Sequence, residues 1–391
     1  YDLATIYRQV TLYFTLEDCK YNFVNNEKFV NILEELEFHS LLRKLSLDSV
    51  VSSKKEDVKE EEKIIIKDIS EFSEKDFAFY LETRGSIYSK SEVLGIGIYD
   101  GENGYFIKRE EIDKYKYLFE MDCCKYTYDY KKSLVVLNKY GVKFRNVYFD
   151  TMIATYLLDY VVKDDISFVA KSFDYQLPVY EDVYGTDKRP IDVSEDTLKD
   201  ICIRKAKFIY ETREKILNEL SEDGELDLFM NIEMPLTEVL ADMEITGVKV
   251  DVPYLSKVEA ELAEQLKNKE QEIYDLAGVK FNIMSPVQLA KVLFEDLAIP
   301  YPKKVKDNKY STSKDILDKI VFVHPIVEKI LEYRTLAKLY TNYAVGLKEE
   351  VREDGRIHTI FTQTLTRTGR LSSISPNLQN IPARSEYSAL I

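Results

Sequence analysis

The chain has 391 residues, 45% of them apolar and 31% charged, a composition that can bury full-sized cores and excludes a disordered protein. No apolar run approaches the roughly 18 residues of a membrane span, and residues 1–10 lack the basic-then-apolar pattern of a secretion signal. Net charge is −15, from 54 basic and 69 acidic side chains, which argues against nonspecific nucleic-acid binding by the whole surface.

The length sets an expectation of two or three domains. Cys19, Cys123, Cys124 and Cys202 never fall in a CxxC spacing, and His39, His324 and His358 are far apart, so neither a thiolate nor a histidine metal centre is expected. A reduced, cytoplasmic protein without membrane association is the expectation. Tyr1 stands where a methionine would start a gene product, and no closing element precedes Ile391, so both ends look cut. Charge is uneven: residues 281–391 carry +4 and residues 1–280 carry −19. An acidic body with a mildly basic end fits contact with a polyanion through one region.

In chain order, Phe29, Ile32, Leu33, Leu36, Leu41, Leu42 and Leu45 recur at three and four and predict an amphipathic helical unit within residues 17–46. Residues 48–62 are charged and lack aromatics and period, which predicts a linker. Strands are predicted from Ile64, at 77–82, at 93–100 and at 105–108, with hairpin signals at Asp100–Gly101 and Asn103–Gly104. Helices are predicted over 129–140, 151–162 and 194–220. Strands followed by interleaved helices argue for a mixed sheet flanked by helices.

Beyond Leu226 the pattern is nearly all helix. A helix over 236–245 is predicted to end at Gly247. A long amphipathic one follows Asp251–Pro253, marked by Leu255, Val258, Leu262, Leu266, Ile273 and Leu276. Ser285–Gln288 reads as a capping box with Pro286 at the first helical position. Another long helix is predicted over 326–347 and a strand over 356–361.

Residues 363–384 read QTLTRTGRLSSISPNLQNIPAR. Arg370 lies beside a glycine and two hydroxyls, and Asn377, Gln379 and Asn380 supply paired donor–acceptor amides. Arginine and amides can contact phosphates and the minor-groove acceptors present on every base pair. A polar surface loop is the plain alternative.

This string resembles the TGRLSS…PNLQNIP motif of family A DNA polymerases. MEITGVKVD at 243–251 resembles the approach to that family's thumb. The segments at 281–300, 303–317 and 333–343 resemble the thumb itself. FDTMIATYLLD at 149–159 resembles part of its 3′–5′ exonuclease-type domain, and EELEFHSLL at 34–42 resembles the junction after a 5′-nuclease domain. The resemblance implies an α/β plus α architecture: a ribonuclease-H-like 3′–5′ exonuclease-type domain, then a mostly helical thumb and the start of a palm. The implied boundaries are a junction over 1–47, the linker over 48–62, an inactive exonuclease-like domain over 63–222, a thumb over 223–350 and the opening of the palm over 351–391.

In that family two Mg2+ ions held by palm carboxylates drive nucleotide addition to a primer. The aspartates and the fingers that hold the nucleotide would lie beyond Ile391, so this chain alone is expected to bind no Mg2+ and extend nothing. The implied partners are primer–template DNA and, for the complete enzyme, deoxynucleoside triphosphates, with the protein a monomer. The resemblance places Arg334 and Lys338 on a thumb helix facing phosphates. It places Arg370, Asn377 and Gln379 at the minor groove of the primer–template end, with Asn380 and Arg384 in the same strip. For Arg334 and Lys338 a solvated helix face is the alternative.

The exonuclease motifs are degenerate. The family's Asp-x-Glu falls on Tyr80, Leu81 and Glu82, so its aspartate is replaced by tyrosine. The second motif's aspartate falls on Ser133, with Asp129 one turn away. The third motif's tyrosine and aspartate fall on Cys202 and Ala206. Glu82 alone cannot hold two divalent ions. Asp150 precedes a predicted helix and reads as its N-cap. Two further readings remain: a free-standing 3′–5′ exonuclease, and a non-catalytic DNA-binding protein derived from a polymerase.

Overall fold

The computed structural model describes Phe29, Ile32, Leu33 and residues 64–302 and 310–381. Tyr1–Lys63 and Ile64–Ile391 are separate compact units. In the first, Phe29, Ile32 and Leu33 are helical and Leu33 is buried; the remainder of the predicted 17–46 helical unit and the linker over 48–62 lie outside the described residues. Among the described residues no helix is long and apolar enough to cross a membrane.

The second unit opens with a six-stranded mixed sheet in the order β1-β4-β3-β2-β5-β6. Its strands are β1 (Ile65–Ile66), β2 (Phe77–Arg84), β3 (Glu92–Tyr99), β4 (Asn103–Lys108), β5 (Lys125–Thr127) and β6 (Val147–Asp150). β2 is central, antiparallel to β3 and parallel to β5. Both its faces are covered, so it reads as a continuous apolar run rather than an alternation. Phe77, Phe79 and Leu81 enter one core, while Ala78 and Tyr80 enter the other.

Helices α1 (Tyr130–Leu137), α2 (Thr151–Leu157) and α3 (Glu195–Glu222) flank this sheet. Ser194 caps α3 by accepting from the Thr197 amide at 3.1 Å. α3 lies hard against β3 at Gly97, where a Cβ would stand 2.3 Å from the Cys202 main chain. Any other residue there would push the helix off the sheet.

Two predicted elements and two unpredicted strands set the structure apart from the sequence reading. The helix from Thr151 stops at Leu157, because Asp159 adopts φ 59° and turns the chain. β5 and β6 were not anticipated. β5 carries Lys125 at 0% exposure, its ammonium donating to the carbonyls of Met121, Cys123 and Arg145 at 2.6, 2.9 and 3.0 Å. The predicted strand over 356–361 is two strands in two ribbons: β10 (Arg356–Ile357) pairs with β9 (Val248–Lys249), and β11 (Ile360–Thr362) pairs with β12 (Ser372–Ile374). The chain switches ribbons because the side chains of His358 and Thr359 bond inward, to the Glu244 carbonyl and to Ser373. A further short hairpin pairs β7 (Gly185–Thr186) with β8 (Arg189–Pro190).

The helical half follows the capping rules. α4 (Met234–Thr246) ends at Gly247, with φ 67°. α5 (Val252–Ala277) starts at Asp251, whose carboxylate accepts from the Tyr254 amide at 3.0 Å, and ends at Gly278 in the left-handed region. α6 (Pro325–Leu339) packs along α5. Leu255, Val258 and Leu262 of α5 meet Leu336 and Leu339 of α6 in one core. Lys269 and Lys329 pair with Glu272 and Glu332 across the same two helices. These pairs are partly exposed, so each contributes little.

One buried cluster joins the sheet half to the helical half. Lys131 of α1 lies 2.6 Å from the Glu244 carboxylate of α4, both almost fully buried. Tyr88 donates to the other Glu244 oxygen at 2.5 Å, and the Phe361 amide of β11 donates to the first at 2.9 Å. Burial pushes the Glu244 carboxyl up from its usual value, and Lys131 pulls it back. Replacing Glu244 by Leu strands the Lys131 charge in the interior and should cost about 3–5 kcal/mol. The Lys131→Met/Glu244→Leu pair should recover most of that loss in the urea midpoint. An unchanged midpoint for the single variant would contradict this packing.

Candidate nucleic-acid interface

The polar segment over 363–381 is a hairpin whose main chain is held from within. β11 and β12 pair Ile360 with Ile374 and Thr362 with Ser372. The buried Thr359 hydroxyl meets Ser373 Oγ at 2.7 Å and donates to the Pro376 carbonyl at 2.8 Å. Gln363, which opens the motif, is buried: its amide nitrogen donates to the Glu233 carbonyl at 2.9 Å, and its oxygen accepts from Thr237 at 3.2 Å. This glutamine ties the strip to α4 and the turn before it.

Several polar side chains of this hairpin stand at the surface. Arg370, Asn377, Gln379 and Asn380 are all exposed. Asn377 Oδ1 accepts from the Gln379 amide at 2.9 Å, and Gln379 Nε2 donates to the Leu371 carbonyl at 3.0 Å, which draws the two arms of the strip together. Tyr343 donates to the Asn380 carbonyl and joins the strip to the helical segment that follows α6. Arg384 lies outside the described residues.

Arg334 and Lys338 both sit on α6 but differ in surroundings. Lys338 is exposed. Arg334 is half-buried, with Nη1 donating to the Thr312 carbonyl at 2.5 Å and Nη2 to the Thr312 hydroxyl at 3.3 Å. Much of its donor fork is thus committed to holding the 310–313 segment.

A cleft of about 810 Å³ opens beside β2, walled by Tyr80, Glu82, Asp129, Asp164, Asp165 and Tyr180. Tyr80 and Glu82 line it. Ser133, Cys202 and Ala206 are buried and do not. Glu82 lies 2.5 Å from Lys205 Nζ, both 1% exposed, and Tyr184 donates to the same carboxylate oxygen at 3.3 Å. The Lys205 ammonium also sits 4.6 Å from the Tyr80 ring centre, a favourable cation–π placement. A fixed cation therefore occupies the Glu82 carboxylate, and tyrosine stands where a second carboxylate would be needed. These residues do not fit a pair of divalent ions. Among the described residues no group of three or more ligating side chains is arranged to hold a metal.

Lys205 and Tyr184 were not singled out by the spacing argument. Counting placed the third motif on Cys202 and Ala206, whereas the charge that reaches Glu82 is on Lys205. A lysine inside the buried stripe of α3, beside Ile201, Cys202 and Ala206, was the available signal.

Asp150 is the N-cap of α2, as expected, and does more. Its carboxylate accepts from the amides of Met152 at 2.8 Å, Asp129 at 3.0 Å and Tyr130 at 2.6 Å, and so fixes the starts of α1 and α2 together. Burial, with Asp129 beside it, pushes Asp150 up to about 7. Asp129 takes φ 57° and caps α1 by accepting from the Lys132 amide at 3.0 Å.

A six-stranded mixed sheet with an acidic cleft is thus joined to a long antiparallel helix pair and a polar hairpin. Residues 252–391 match DNA polymerase family A, and residues 79–212 match the ribonuclease H-like domain of DNA polymerase I. DNA polymerase I of Bacillus subtilis (strain 168) is 38% identical over 395 residues, covering 98% of this chain and 44% of that protein. DNA polymerase I of Geobacillus stearothermophilus is 38% identical over 392 residues with the same coverage. The solved POL domain of Pol1 from M. smegmatis, in complex with DNA primer-template and dNTP, superposes with a TM-score of 0.67 at 27% identity, over 81% of this chain and 54% of that one. The chain belongs to DNA polymerase family A. It spans less than half the length of the curated relatives it matches.

Truncating Asp150 to Ala leaves the buried Tyr130 amide without an acceptor, at about 1–3 kcal/mol, and the part-buried Asp129 and Met152 amides at a smaller cost. The urea midpoint should fall markedly, and a wild-type midpoint would show that the Asp150 carboxylate does not hold the two helix starts.

Proposed function

We propose that this chain is the part of a DNA polymerase I-type enzyme that grips primer–template DNA, acting in replication and repair within the longer protein. In this reading residues 1–47 are a junction following a 5′-nuclease domain and residues 48–62 a linker. Residues 63–222 are an exonuclease-like domain without its chemistry, residues 223–350 the thumb and residues 351–391 the start of the palm. The observation that carries the reading is the strip itself: bonds at Thr359 and Gln379 brace its main chain while Arg370, Asn377, Gln379 and Asn380 are exposed. That arrangement suits contact with groove acceptors and phosphates without base selectivity.

Lys338 would add a phosphate contact from the thumb, and Arg334 a weaker one because Thr312 occupies two of its nitrogens. Arg384 belongs to the same strip by sequence. Nucleotide addition, with its Mg2+ ions and deoxynucleoside triphosphates, belongs in this reading to the complete enzyme, working as a cytoplasmic monomer. The cleft at Glu82 contributes no nuclease step, since Lys205 already neutralises the carboxylate.

Fluorescence anisotropy with a recessed primer–template tests the grip. Lys338→Ala should weaken binding to all sequences alike and lower the salt slope by about 1. Arg370→Ala should cost about 1–3 kcal/mol, and affinities unchanged by both would contradict the assignment. A 5′-labelled single strand incubated with the chain and Mg2+ or Mn2+ should stay full length. Metal-dependent shortening would favour the exonuclease reading instead.

A further inference from the structure

We propose that Tyr156, on the ribonuclease-H-like half, is a positioning residue that sets the pose of the Thr366–Arg370 turn for primer–template DNA. The inference rests on the proposed role of the strip in gripping DNA. Tyr156 belongs to α2, a helix fixed at its start by Asp150 and backed by the buried residues Phe149, Ile153 and Ala154. Its phenol reaches across to the hairpin and donates to the Thr366 carbonyl at 2.5 Å. Burial pushes the phenol up, and the nearby Gly369 amide works against that shift. One hydroxyl thus anchors the first residue of the turn.

From there the chain of bonds runs into the strip. The Thr366 hydroxyl donates to the Arg370 carbonyl at 2.6 Å, and the Leu371 carbonyl that follows accepts from Gln379. Within the turn, the Gly369 amide reaches the Thr366 carbonyl only at 3.4 Å, a long bond that restrains little. Leu365, Arg367, Thr368, Gly369 and Arg370 are all exposed. A rigid helix therefore supplies the order that this soft turn lacks. The domain that cannot cut DNA in this reading instead fixes the arginine that touches it.

The test uses the full chain and Tyr156→Phe, which removes the hydroxyl and keeps the ring. Hydrogen exchange followed by mass spectrometry should show faster exchange in peptides spanning 366–371, with α2 and the central sheet unchanged. Affinity for a recessed primer–template should fall about 5-fold in the wild-type background, as for loss of one hydrogen bond. In an Arg370→Ala background the same change should cost little, because the two residues act through one contact. Unaltered exchange at 366–371, or an equal loss in both backgrounds, overturns the positioning role. Faster exchange throughout the sheet overturns it too, by showing a general loss of stability. A wild-type chain that fails to bind the duplex end overturns the DNA reading itself. One that binds, with Tyr156→Phe binding equally, overturns only the role of Tyr156.

Discussion

The carboxylate of Glu244 is buried where three parts of the chain converge, and its satisfaction decides how they sit. An ionised carboxylate in an interior is tolerated only if charge and hydrogen bonds replace the water it has lost. Here Lys131 supplies the charge, Tyr88 a hydroxyl and Phe361 a main-chain amide. Each donor comes from a different segment: α1, the turn after β2, and β11. The geometry that satisfies one side chain thereby orients the sheet, helix α4 and the polar hairpin together. The carbonyl of the same residue takes His358, whose other ring nitrogen meets Asp354 at 2.9 Å, so the ribbon leading into the hairpin is fixed as well.

A second buried pair tells what became of the cleft. A nuclease using two metals needs several carboxylates and an open approach for ions. Glu82 sits on β2 with Lys205 against it; the Tyr80 ring lies beside the ammonium, and Tyr184 donates to the carboxylate. A fixed monovalent charge thus neutralises the carboxylate, and the pair is part of the core. That core in turn supports α2 and its neighbours, the platform on which the hairpin leans.

Local rules carried much of the fold. Ser194, Asp251 and Ser285 cap helices where spacing placed them, Gly247 and Gly278 end them, and the first four strands fall where apolar runs meet turn residues. The missed β5 and the unforeseen partners inside the core share a cause. Lys125, Lys131 and Lys205 are charged residues inside buried stretches, and their partners lie elsewhere: three carbonyls for the first, and carboxylates 113 and 123 residues away for the others. Periodicity sees a lysine as surface, so β5 was invisible and the closed cleft could be inferred only from missing aspartates. The hairpin strip was legible because its residue order is specific, whereas the burial of Gln363 and the engagement of Arg334 by Thr312 depend on contacts that no local pattern encodes.

The central claim is that the sheet half serves as a platform for a DNA-gripping strip and performs no chemistry of its own. A crystal structure of the chain with recessed primer–template DNA, grown in Mn2+, tests this most directly. The account predicts Arg370, Asn377 and Gln379 against the minor groove at the primer end, with Lys205 still on Glu82 and no manganese in the cleft. Manganese bound at Glu82 with a frayed 3′ strand threaded into that cleft would contradict it.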